Sequence, residues 1–77
     1  MMHDQDTIMT LGQWRQARGM TWRGLSAAAH ISGQTLARAY RGDRLWAPTM
    51  HRIADALDVD IMAIAEFRAS ILGEEAP

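Results

Sequence analysis

Residues 21–42, TWRGLSAAAHISGQTLARAYRG, constrain this chain more than any other stretch. They read as two short helices joined by a tight turn. Thr21 carries the short hydroxyl side chain that caps a helix, and the pattern predicts that helix over 22–29. Leu25, Ala28 and Ala29 give it a narrow apolar stripe, in which the alanines let a neighbouring helix come close. His30-Ile31 forms the turn, with Ile31 buried. Ser32 caps the next helix, over 33–41, and Gly42 ends it. Leu36 and Ala39 face inward on this helix. Gln34, Ala37, Arg38 and Arg41 share its outward face at i, i+3, i+4 and i+7. The rest of the chain reads as scaffold that holds this second helix towards something anionic.

The flanking segments supply three more helices. Residues 1–6 show no periodicity and are expected to form a flexible N-terminus. Thr7 caps a first helix, with Ile8, Leu11 and Trp14 at helical spacing and Gly19 as its left-handed stop. Residues 43–48 form a loop holding Leu45 and Trp46. Thr49, after Pro48, caps a fourth helix from Met50 to about Asp58, with Ile53, Ala54 and Leu57 inward. Val59 links it to a fifth helix over 61–72, capped by Asp60 and closed by Gly73. Residues 74–77 form an acidic tail. The expected fold is all-α, a compact five-helix domain over 7–73.

Charge separates the functional classes. The net charge of −1 hides a strong asymmetry. Residues 15–52 hold seven arginines against one acid, Asp43, whereas residues 53–77 hold six acids against Arg68. A basic block over the two-helix stretch is the electrostatic footprint of a nucleic-acid surface. Every basic side chain is arginine, whose planar fork suits phosphates and guanines. The chain has no cysteine, which removes disulfides and thiolate metal sites and fits a reducing cytoplasm. No apolar run approaches the ~18 residues that cross a bilayer, so no membrane role is expected. His3, His30 and His51 lack metal-ligand spacing, and no cofactor is expected. No nucleophile–base pair, carboxylate pair or phosphate loop points to an enzyme; Ser32 is a helix cap.

With these elements placed, the chain resembles the Cro/phage-repressor-like (Xre-type) helix-turn-helix family over roughly residues 11–64. The resemblance rests on WRQARGMT, LSAAAHIS, TLARAYRG and PTMHRIADALDVD, taken in order. It implies a lambda-repressor-like DNA-binding domain with its helix-turn-helix at helices 2 and 3. It also implies a structural role on helix 1 for Arg15. Three positions depart from the family pattern. His30 stands where the turn usually has glycine, Trp22 where glutamine often opens helix 2, and Tyr40 where an acid commonly precedes the basic residue and glycine ending helix 3. The loop before Pro48 is also longer by about a pair of residues.

The working surface follows. The major groove of duplex DNA admits an α-helix and distinguishes all four base pairs. Gln34 suits adenine and Arg38 suits guanine, each through a bidentate pair. Thr35 suits a thymine methyl or a phosphate, Ala37 lies on the same face, and Gly33 permits close backbone approach. Phosphate contacts fix the register. They are expected from Thr21, Trp22 and Arg23 at the start of helix 2, where free N–H groups favour anions, and from Ser32, Arg41, Arg44 and Arg52. Trp22 either covers the junction of helices 1 and 2 or lies against the DNA backbone. Trp46 either packs under its loop or faces a partner.

One domain contacts one half-site, and relatives pair on half-sites ~34–36 Å apart. Helix 5 is apolar nearly all round and wants burial on more than one side. Phe67, Ile71 and Leu72 are therefore expected at a homodimer interface, or else folded back on helix 1. The leading expectation is a sequence-specific transcriptional regulator, a repressor on a palindromic operator in a bacterial or phage-derived, nucleoid-associated setting. The alternative is a protein-interaction module or antitoxin that binds a protein partner through helix 5 and Trp46.

Overall fold

A computed structural model describes residues 7–73. The expectations for 1–6 and 74–77, and for His3, lie outside the described residues. The elements run α1 (Leu11–Ala17), α2 (Trp22–Ala29), α3 (Gly33–Tyr40), α4 (Ala47–Leu57), a single 3-10 turn (Ile61–Ala63) and α5 (Ala65–Leu72). The described residues are thus all-α with five α-helices. Helix α2 lies against α4, and both α1 and α5 touch α3. Leu11, Leu25, Leu36, Ile53, Leu57 and Ile64 meet in one fully buried core.

The first helix begins later than Thr7. Its cap is Thr10, whose hydroxyl accepts from the Gln13 N–H while the Gln13 side chain accepts from the Thr10 N–H. This reciprocal pair satisfies two donors that a helix start leaves open. The Glu66 carboxylate on α5 accepts a third, the Leu11 N–H, at 2.9 Å. Residue 9 cannot join the helix because its backbone is engaged elsewhere. The Met9 N–H donates to the Ala63 carbonyl at 3.0 Å, and the Met9 carbonyl accepts from the Ala65 N–H at 2.9 Å. Ile8, expected inward, is exposed.

That same pairing breaks the expected fifth helix. Ile64 is extended, with φ −96° and ψ 116°, and separates the 3-10 turn from α5. Asp60 does act as a cap, accepting from the Met62 N–H, but of the 3-10 turn. Phe67 then turns into the core and is 2% exposed. It is therefore not on the surface that a twofold contact needs, which corrects the expectation placing it with Ile71 and Leu72. Those two remain 43% and 50% exposed.

Helix α4 also starts earlier than Thr49, at Ala47, with Pro48 in its first turn and Trp46 as cap. Proline fits there because its missing N–H would have no intrahelical partner. On α2, Ala29 shares the buried face of Leu25, but Ala28 is exposed at a cleft beside α4. Ile31 is half-buried.

The bounds of α2 agree with expectation, and α3 agrees to one residue. Thr21 accepts from the Gly24 N–H and Ser32 from the Thr35 N–H. His30 takes the left-handed conformation of the turn, with φ 58°, and Asp58 takes the same one at the end of α4. Histidine and aspartate are among the residues that tolerate this region.

Candidate nucleic-acid interface

The arginines of the basic block divide by function. Two hold the fold. The Arg15 guanidinium donates from Nε to the Tyr40 hydroxyl at 2.6 Å and from Nη1 to the Met20 carbonyl at 2.9 Å. This bears out Arg15 as structural, and it gives Tyr40 a role in the fold as the acceptor of that bond. Arg18 donates from Nε to the Leu57 carbonyl at 2.7 Å and lies 5.1 Å over the Trp14 ring. It thereby caps the end of α4.

Arg23, Arg38, Arg41, Arg44 and Arg52 are exposed. Helix α3 and its C-cap Arg41 present Gly33, Gln34, Arg38 and Arg41 outward, while Leu36 and Ala39 are fully buried beneath. Thr35 and Ala37 flank this row half-buried. From Gln34 to Arg41 the helix rises about 10 Å, which matches roughly three base pairs. Ser32 is engaged within its own turn, because its hydroxyl also donates to Thr35 Oγ1 at 3.0 Å.

A shallow cleft of about 450 Å³ opens beside this row, lined by Thr35, Arg38, Arg44, Leu45, Trp46 and Thr49. The loop leading into α4 is pinned, since Leu45 is buried and the Trp46 carbonyl accepts from the Thr49 and Met50 N–H groups. Trp46 itself is 81% exposed, so it does not pack under its loop. Arg52 lines a different cleft, between α2 and α4, with Ala28, Ala29, His30, Asp55 and Ala56. The structure therefore groups Thr35, Arg38 and Arg44 and leaves Arg52 apart from them.

Trp22 covers a junction, though of α2 with α3. Its ring lies 4.8 Å from that of Tyr40, and its Nε1 would stand 3.6 Å from a Cβ placed on Gly33. It remains 37% exposed at the start of α2, beside Thr21 and Arg23.

One contact of the site was not anticipated. Asp43 closes over the end of α3, with Oδ2 2.8 Å from Arg41 Nη2 and 3.9 Å from Arg38 Nε. Its signal was visible, because Asp43 is the lone acid of the basic block. Among the described residues, no group of three His, Cys, Asp or Glu side chains could hold a metal ion, and no helix is long and apolar enough to cross a membrane.

A family model described as a Cro/C1-type HTH DNA-binding domain matches residues 10–70. No curated protein and no solved structure matches the chain.

Proposed function

The chain belongs to the Cro/C1-type helix-turn-helix DNA-binding family, and from that membership we propose that it is a transcriptional repressor that reads duplex DNA with α3 in the major groove. The observation that carries this reading is the row Gln34–Arg38–Arg41, exposed over a fully buried Leu36 and Ala39. Such a helix offers flexible polar side chains on a rigid rod. Gln34 and Arg38 read adenine and guanine edges, with Gly33, Thr35 and Ala37 against the same bases. Thr21, Trp22, Arg23 and the backbone of Ser32 dock the start of the motif on one strand, and Arg41 and Arg44 hold the phosphates beyond the other end. Repression follows from occupying the duplex.

Binding that depends on phosphate neutralisation weakens steeply with salt. The logarithm of the affinity falls by about 0.9 per phosphate contact for each unit of log salt. With Arg23, Arg41 and Arg44 on phosphates, each protomer should show a slope near −3. Fluorescence anisotropy with a labelled duplex at four salt concentrations measures it. Affinity independent of salt would contradict the reading.

The protein acts as a homodimer in this account, on a palindromic operator. The domain measures 30 × 30 × 21 Å. Two copies side by side therefore fit half-sites one turn, ~34–36 Å, apart. Ile71 and Leu72, both exposed at the end of α5, are apolar residues available for pairing. Leu72→Asp should convert a dimer to a monomer in sedimentation equilibrium. The same mass for wild type and variant would end the pairing role.

Trp46 favours a second reading. An indole this exposed also suits a protein partner, and an interaction module or antitoxin would use it. The cleft beside it is lined by Arg38 and Arg44, so an anionic partner is favoured, and DNA is the one that the family binds.

A further inference from the structure

Asp43 sits amid the arginines that would meet DNA, where a negative charge opposes binding. Its position is imposed by the end of α3. Gly42 is left-handed, with φ 80°, and the Gly42 N–H donates to the Ala39 carbonyl. The Asp43 N–H then reaches back to the Arg38 carbonyl at 3.0 Å. This pair of bonds is the Schellman ending of a helix, and it folds residue 43 back over the last turn. The carboxylate lands between two guanidinium groups, 2.8 Å from Arg41 Nη2 and 3.9 Å from Arg38 Nε. Arg38 Nη2 also donates to the Arg44 carbonyl at 3.4 Å. All three charged side chains are substantially exposed. Exposed ion pairs contribute little to stability, so folding does not account for an acid at this point.

Resting on the DNA-reading assignment above, we infer that Asp43 is a positioning residue that sets the specificity of Arg38. It restrains one edge of the Arg38 guanidinium while the Arg44 carbonyl holds one Nη2 hydrogen. Of the five guanidinium N–H groups only one, on Nη2, is spent on a hydrogen bond, so enough remain for a bidentate pair with guanine O6 and N7. A side chain held in this way loses less freedom on reading its base and samples fewer wrong contacts. The same carboxylate partly neutralises Arg41 and repels phosphates, which holds down binding to arbitrary sequence. Asp43 thus raises discrimination from both sides, by steadying the specific contact and weakening the general one.

The test compares wild type with Asp43→Asn, Asp43→Ala and Asp43→Glu. The probes are the duplex selected by the wild type, that duplex with the Arg38-read guanine replaced, and an unrelated duplex. In Asp43→Asn and Asp43→Ala, affinity for the unrelated duplex should rise about threefold, the effect of removing a unit charge roughly 7 Å from a phosphate in water. Its salt slope should steepen by less than about 0.9, as Arg41 loses the carboxylate that partly neutralises it. Discrimination at the guanine should fall by about threefold or more from the wild-type preference. Asp43→Glu should restore the low affinity for the unrelated duplex and part of the discrimination. A rise on the unrelated duplex with discrimination unchanged would reveal a charge effect alone and overturn the positioning role, as would no change on any probe. Both results leave the DNA-reading assignment standing. A wild type that selects no duplex would overturn both.

Discussion

Replacing Trp14 with alanine should destabilise the domain by about 3–5 kcal/mol, the range for truncating a buried tryptophan. A chain of this length has roughly 4–12 kcal/mol to lose, so the variant gives up a large fraction of the domain's stability. The size of the effect follows from what meets at this residue. Trp14 is 3% exposed, and its Nε1–H donates to the Ala63 carbonyl at 2.8 Å. The same carbonyl accepts the Met9 N–H, so one oxygen joins α1, the N-terminal segment and the 3-10 turn. Arg18 lies over the ring while holding the end of α4. Alanine leaves a cavity and removes the surface on which Arg18 rests. Trp14→Phe, which keeps much of the volume but not the N–H, should cost roughly 1 kcal/mol for the bond together with a smaller packing loss. Urea unfolding followed by circular dichroism compares them. An alanine variant as stable as the phenylalanine one would show that packing at Trp14 matters little.

Arg38→Ala should leave stability nearly unchanged and alter reading instead. Its folded-state partners are the exposed Asp43 carboxylate and the Arg44 carbonyl, and exposed contacts of this kind contribute little. On DNA, losing a bidentate guanine contact removes ~1–3 kcal/mol of discrimination at one base position. That is a ~5- to 150-fold change, confined to that position. Arg44→Ala should weaken all sequences alike and lower the magnitude of the salt slope by about 1. Competition binding against duplexes that vary one position at a time separates the two patterns. A uniform loss in Arg38→Ala would move that side chain from base to phosphate.

The helix-turn-helix was legible because its signals are local. Thr21 and Ser32 bond to N–H groups three residues away, and a spacing of three is visible in sequence. The structural place of Arg15 was legible only through family resemblance, because its acceptor, Tyr40, lies on another helix. The elements that moved did so for non-local reasons. Thr7 and Thr10 look alike as caps, and what decides between them is the pairing of Met9 with Ala63 and Ala65, far along the chain. The break at Ile64 belongs to that same pairing. Phe67 was misplaced because a helix apolar on every side has no phase from which to read its inner face. At the site, the exposed row on α3 was readable from its period. The grip of Asp43 on Arg41 and Arg38 was not, because it depends on a left-handed Gly42 turning the chain back.

Helix α3 is proposed to read sequence in the major groove. Selection of wild-type protein on random-sequence duplex at several salt concentrations tests it most directly. The expected result is enrichment of one short motif, repeated with twofold symmetry about one helical turn apart, with a guanine that methylation at N7 renders unbindable. Uniform recovery of all sequences, with affinity set by salt alone, would contradict it.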